Sequence, residues 1–121
     1  MNFILIDDSK QFRDRLESLI TRNKDFFIVG RANNAIEGFN LVKFLSPDFV
    51  FIDLQMPGEN GISVLKKIKT DYPNIKTAIV TNYPFDKIRE ECKKIGTDYF
   101  FDKSNDIKLI EALLFSLKTN N

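Results

Sequence analysis

Short apolar runs rich in β-branched and aromatic residues alternate along this chain with segments whose apolar residues recur every three or four positions. The runs predict strands buried on both faces, and the longer period predicts amphipathic helices. Phe3-Ile4-Leu5-Ile6 is the first run and stops at the acidic pair Asp7-Asp8. Ser9 is an N-cap for a helix with Phe12, Leu16, Leu19 and Ile20 on its apolar face. Residues 26–29 predict a second strand, followed by Gly30. Asn34 with Glu37 reads as a capping box that opens a helix through Ile36, Phe39, Leu41, Val42 and Leu45, ended by Ser46-Pro47. Phe49-Val50-Phe51-Ile52 is the third and most central run, and it stops at one carboxylate, Asp53. Pro57, Gly58 and Gly61 then mark a loop. Ile62, Leu65 and Ile68 follow at helical spacing until Tyr72-Pro73-Asn74 breaks the pattern. Thr77-Ala78-Ile79-Val80 is a fourth strand ending at Thr81, and a helix from about Pro84 turns Ile88 and Ile95 inward before Gly96. Tyr99-Phe100-Phe101 forms a fifth strand, closed by Asp102-Lys103. Ser104 or Asn105 caps a last helix with Ile107, Ile110, Leu113, Leu114 and Leu117 on one face, and Asn120-Asn121 reads as a frayed end.

Five strands alternating with five helices predict an α/β fold with a parallel sheet, helices on both faces and right-handed crossovers. The expected architecture is a flavodoxin-like (βα)5 three-layer sandwich with strand order 2-1-3-4-5, and its switch point lies between strands one and three. No linker or repeat divides the chain, so residues 1–121 are expected to form one domain.

Composition narrows the chemistry. Hydrophobic residues at 43% and charged residues at 29% describe a globular rather than a disordered chain. A net charge of +1 supplies no global field for nucleic acid or an anionic membrane. The absence of histidine removes imidazole general bases, imidazole metal ligands and phosphohistidine carriage. The single cysteine, Cys92, excludes an internal disulfide and reads as an inert, partly buried residue. No signal peptide or membrane-length apolar run is present, so the expected location is cytoplasmic.

All carboxyl ends of a parallel sheet share one rim, which in open α/β sheets is where ligands bind. Strand one brings Asp7-Asp8 there, strand three Asp53, strand four Thr81 and strand five Lys103. Asp53 alone would serve equally well as a loop cap, and the three acids as solvated caps on separate loops. Gathered together, three carboxylates repel and raise one another's pKa. A hard divalent cation resolves that conflict, and an oxygen-only donor set suits Mg²⁺. Asp53, on the central strand, is the best-placed nucleophile for a phosphoryl group. Lys103 offers a positive charge to a phosphoryl oxygen and Thr81 a hydroxyl. The lysines Lys66, Lys67 and Lys69 read as a solvated helix face.

The acidic pair after strand one, Asp-Leu-Gln-Met-Pro-Gly-Glu-Asn-Gly after strand three, threonine after strand four and lysine after strand five resemble the receiver domains of two-component response regulators. The resemblance spans the whole chain and has the chemotaxis-regulator character. It implies that Asp53 accepts a phosphoryl group from a phosphohistidine on a sensor histidine kinase or phosphotransfer protein, and that slow self-dephosphorylation follows. It implies Mg²⁺ held by Asp8, Asp53 and the Gln55 carbonyl, with Asp7 assisting through water. Lys103 would pair with the phosphoryl group, Thr81 would move to it, and Phe100 would be the switch aromatic that turns inward. The altered surface would be the fourth helix, fifth strand and fifth helix, which would meet a downstream protein. The implied activity is the chain's own phosphorylation and dephosphorylation, with no direct nucleic-acid or membrane partner. A homodimer is left open, as is whether this is a stand-alone regulator or a piece of a longer one.

Ser104 stands where the family usually has proline, so that peptide bond is expected to be trans. Asn82 is larger than the small residue common after the threonine, and it flanks the pocket with Gln55 and Tyr83, where hydrolysis would be tuned. Two other functions compete. A pseudo-receiver would be a constitutive interaction module that is never phosphorylated. A metal-dependent phosphatase would carry a carboxylate two residues after the nucleophile, where this chain has Gln55.

Overall fold

The computed structural model describes residues 1–56, 58 and 60–119. Pro57 of the expected loop and the expected frayed end at Asn120 and Asn121 lie outside the described residues. The order of elements is β1 (Asn2–Ile6), α1 (Lys10–Ile20), β2 (Phe27–Ala32), α2 (Ala35–Leu45), β3 (Phe49–Asp53), α3 (Gly61–Asp71), β4 (Lys76–Thr81), α4 (Asp86–Ile95), β5 (Tyr99–Asp102) and α5 (Ile107–Thr119). The five strands form one parallel sheet in the order β2-β1-β3-β4-β5, as the alternation requires.

Period-two alternation sends successive strand residues to opposite faces. Ile4, Ile6, Val50, Ile52 and Ile79 pack on one side against Val42, Leu65, Ile68 and Cys92 of α2, α3 and α4. Phe3, Leu5, Phe49, Phe51 and Phe101 pack on the other against Leu16, Ile20, Ile110, Leu113 and Leu114 of α1 and α5. Rings fill this second layer: Phe49 lies 5.4 Å from Phe3 and 5.1 Å from Phe51, centroid to centroid. All five residues of β3 are buried, which explains why its sequence is apolar on both faces.

Strand register positions the rim. Ile6 pairs with Ile52, so the next residues, Asp7 and Asp53, emerge side by side. Asp53 pairs with Val80 and Thr81 pairs with Asp102, so Thr81 and Lys103 follow one step further along the same edge.

Several local expectations shift. β2 starts at Phe27 and runs through Gly30 to Ala32, because β1 needs a hydrogen-bonded neighbour up to Asp7, whose N–H donates to the Ala32 carbonyl at 2.9 Å. In α2 the buried face is Ala35, Gly38 and Val42, while Ile36 and Leu45 turn outward. The helix sits so close to β1 that a Cβ on Gly38 would lie 2.6 Å from the Ile6 side chain, leaving no room for large residues there. α3 begins at Gly61 itself, capped by Asn60, and α4 begins at Asp86 rather than near Pro84. Neither Ser104 nor Asn105 caps the last helix. Both are held by the Asp102 carboxylate, and Asp106 supplies the first helical carbonyl, to Ile110 N–H. Lys69 is not a solvated lysine: its ammonium meets Asp98 Oδ2 at 2.8 Å and its side chain is 11% exposed. Cys92 is fully rather than partly buried, and burial pushes its thiol up to about 11, which keeps it inert. No cis peptide occurs among the described residues, so the bond before Ser104 is trans.

Candidate functional site

Asp7, Asp53 and Thr81 are buried polar residues at the rim, between 0% and 2% exposed, while Asp8 is exposed. Carboxylate oxygens of Asp7, Asp8 and Asp53 lie within 4.8 Å of one another. Lys103 reaches over them from the end of β5. Its Nζ lies 2.8 Å from Asp7 Oδ2 and 3.3 Å from Asp53 Oδ2, and its side chain is 8% exposed. The structure brings Asp7, Asp8, Asp53 and Lys103 together in one cluster, with Thr81 buried at the same rim.

Main-chain donors hold the carboxylates in place. Ser9 N–H donates to Asp7 Oδ1 at 2.8 Å, and Gln55 N–H donates to Asp53 Oδ1 at 3.1 Å. Burial pushes the Asp53 carboxyl up to about 7, and the Asp7 charge adds to this against the opposing pull of Lys103 and the Gln55 N–H. Asp53 thus sits where proton and ammonium compete for one carboxylate.

The donor set fits a hard divalent cation. It contains only oxygen ligands, and Asp7 Oδ2 is buried with no aligned hydrogen bond, the nearby Lys103 ammonium meeting it as a charge. Gln55 adjoins Asp53 on the loop that leads to α3. That loop folds back tightly: Gly61 N–H donates to the Leu54 carbonyl at 3.2 Å, and a Cβ on Gly61 would meet the Asp53 carbonyl oxygen at 2.2 Å. Only glycine allows α3 to start this close to the end of β3.

Thr81 Oγ1 donates to Gln55 Oε1 at 2.7 Å and accepts from Tyr83 N–H at 3.0 Å. Tyr83 and Phe85 are exposed, and their rings stack at 6.3 Å on the loop after β4. Phe100 is half-buried on β5 beneath the Arg89 guanidinium, 4.5 Å from the ring centroid. Asn82 lies on the wall of a cleft of about 460 Å³ with Ser9, Gln11, Phe12, Arg15 and Lys103. A larger hollow of about 690 Å³ runs along α2, but among the described residues Glu37 is its only charged lining residue, so size does not mark the site.

Two residues escape a reading of the sequence. Arg13 donates from its guanidinium to the Asp7 carbonyl and so ties α1 to the acidic loop. Phe12 places its ring 4.7 Å from Lys103 Nζ. The only signal for Phe12 is its position in the first turn of the helix, near the rim; for Arg13 there is none.

The model of the response regulator receiver domain family matches residues 3–115. Among curated proteins, the chain is 31% identical over 104 residues to sporulation initiation phosphotransferase F of Bacillus subtilis, covering 86% of this chain and 82% of that protein. It is 39% identical over 66 residues to the nitrate/nitrite response regulator protein NarL of Escherichia coli, covering 54% of this chain and 31% of that protein. The chain spans between 20% and 31% of the length of several such curated relatives. Among solved structures, a LuxR-family DNA-binding response regulator from Staphylococcus aureus superposes with a TM-score of 0.84 at 29% identity, covering 99% of this chain and 98% of that one. With a rim built by the ends of β1, β3, β4 and β5 and a family match along nearly its whole length, the chain belongs to the response regulator receiver domains.

Proposed function

We propose that residues 1–121 act as one phosphorylation-controlled switch in which Asp53 accepts a phosphoryl group from the phosphohistidine of a sensor kinase or phosphotransfer protein. The observation that carries this reading is the Lys103 ammonium lying between the buried carboxylates of Asp7 and Asp53. The two carboxylates hold the ammonium at the point where a phosphoryl group arriving at Asp53 brings oxygens that need that charge. One Asp53 oxygen forms the new P–O bond as the donor's P–N bond breaks, and the electron pair leaves on the imidazole nitrogen, which then takes a proton. Hydrolysis reverses the state: water attacks phosphorus, the P–O bond to Asp53 breaks and inorganic phosphate departs.

Asp8, Asp53 and the Gln55 carbonyl would hold Mg²⁺, with Asp7 assisting through water. When bound, the ion offsets negative charge on the carboxylates and on the incoming phosphoryl oxygens. Lys103 needs only to turn its ammonium from carboxylate to phosphoryl oxygen. Thr81 must first give up its hydrogen bond to Gln55. Its inward shift would open space for Phe100, and the face formed by α4, β5 and α5 would then meet a downstream protein. A cytoplasmic location accords with this partner set, and no described helix is long and apolar enough to cross a membrane.

The pseudo-receiver reading has no support, since every group the chemistry needs is present at one rim. Incubation with a small phosphodonor should add the mass of one phosphoryl group to the intact protein in Mg²⁺ and none in chelator. An absence of both adduct and Mg²⁺ binding would overturn the proposal.

A further inference from the structure

The acidic cluster accounts for one side of the Lys103 ammonium. The ammonium also lies over the Phe12 ring, 4.7 Å from its centroid. We propose that Phe12 is a positioning residue for Lys103: the aromatic face at the start of α1 holds the ammonium over Asp7 and Asp53 and keeps it out of the neighbouring cleft. The inference rests on the phosphoryl-transfer reading above.

A lysine side chain has four rotatable bonds, and the main chain of Lys103 is pinned by its N–H to the Thr81 carbonyl at 2.9 Å. What remains is where the ammonium points. The cleft lined by Ser9, Gln11, Phe12, Arg15, Asn82 and Lys103 offers it a wetter alternative. A cation over an aromatic face is attracted to the ring's negative quadrupole, and more strongly where water is excluded, as at an 8% exposed side chain. Unlike a third carboxylate, the ring holds the ammonium without adding negative charge to a site that must admit an anion. Phe12 is half-buried at the edge of the aromatic layer, so packing alone leaves part of the ring open to this second task. With the ring in place, the ammonium can turn from carboxylate to phosphoryl oxygen with little displacement. Without it, Lys103 must be recovered from the cleft each time.

The test compares the full chain with Phe12→Leu, which keeps apolar bulk, and Phe12→Tyr, which keeps the ring; Phe12→Met replaces the leucine variant if that one melts early. The probe is acetyl phosphate with Mg²⁺, and adduct formation is followed by intact mass. The Lys103 ε-proton chemical shift reports the ring independently of any phosphorylation. Phe12→Leu should slow adduct formation by about three- to thirtyfold, the range of one cation–π contact from exposed to desolvated. It should also abolish an upfield shift of the Lys103 ε-protons that the wild type displays and Phe12→Tyr preserves along with the rate. An unaltered rate in Phe12→Leu, or an equal loss in Phe12→Tyr, would overturn the inference while leaving the phosphoryl-transfer reading intact. A wild type that takes up no phosphoryl group would overturn that reading, and this inference with it.

Discussion

Thr81 on β4 and Gln55 on the loop after β3 are joined by a 2.7 Å hydrogen bond from the threonine hydroxyl to the side-chain carbonyl. The bond turns the hydroxyl toward Gln55, two residues beyond the proposed phosphoacceptor. Moving Thr81 to a phosphoryl oxygen requires breaking it. A neutral hydrogen bond of this kind contributes about 0.5–1.5 kcal/mol net. Gln55→Ala should therefore favour the switched state, strengthening binding of beryllium fluoride, a phosphoryl mimic, by up to about tenfold. Weaker binding in titration would show that Gln55 assists the phosphoryl state instead.

Asp53 and Asp7 place two carboxylates at a buried rim, where the Lys103 ammonium meets both. Burial first, and Asp7 second, raise the Asp53 carboxyl from 3.8 to about 7. The folded protein therefore holds a proton that the unfolded chain releases, so metal-free stability falls as pH rises from about 4 to about 7. Asp53→Asn should flatten that fall and raise the melting temperature of the metal-free protein at pH 7.5 by a few degrees, as thermal melts with and without Mg²⁺ can measure. A lower melting temperature would mean that Asp53 contributes structure that its charge does not explain.

Asp98 makes the opposite case, away from the site. Burial works against its charge, but hydrogen bonds from Lys69 Nζ at 2.8 Å and Thr77 N–H at 2.9 Å outweigh it and hold the carboxyl below its ordinary value of 3.8. This stabilisation is present above pH 4 and is lost as pH falls through the lower folded value. Asp98→Asn should cost about 1–3 kcal/mol in urea unfolding at pH 7 and progressively less on acidification below pH 4. A cost that stays constant with pH would contradict the ionic origin.

Gly61 tests how the loop holds Asp53. In Gly61→Ala the new Cβ would meet the Asp53 carbonyl oxygen at 2.2 Å and the Leu54 Cα at 2.9 Å, so the backbone under the phosphoacceptor must shift. A loss of about 2 kcal/mol or more is expected, together with weaker Mg²⁺ binding by calorimetry. Wild-type Mg²⁺ affinity would separate the loop from the metal site.

Asn82 lines the same cleft as Lys103. Asn82→Ala widens the cleft and should shorten the lifetime of the phosphoryl group as water gains access. An unchanged decay rate would remove Asn82 from the control of hydrolysis.

The fold is legible because apolar runs and helical periods are clean, and the rim because four of the five strands stop at a polar residue. Those stops name Asp7, Asp53, Thr81 and Lys103 from the sequence alone. What stayed hidden depends on distances across the fold. Ile36 and Leu45 fit a helical apolar face, yet the face of α2 that meets β1 is the one carrying Gly38, against Ile6, and Ile36 and Leu45 stay exposed. Lys69 looked like a surface lysine, and only the approach of Asp98, 29 residues later, makes it an internal partner. Phe12 has the spacing of a core residue, and nothing in the local sequence distinguishes packing from a ring held under an ammonium. The cap of α5 moved to Asp106 because Asp102 takes both Ser104 and Asn105 for its own turn.

The most direct test of the central claim is to map the phosphoryl group itself: protein treated with acetyl phosphate and Mg²⁺, digested at acidic pH and sequenced by mass spectrometry. The account predicts one phosphoryl group, on Asp53, present with Mg²⁺ and absent with chelator. A phosphoryl group on Asp7, Asp8 or a hydroxyl residue, or none on a protein that does not bind Mg²⁺, would contradict it.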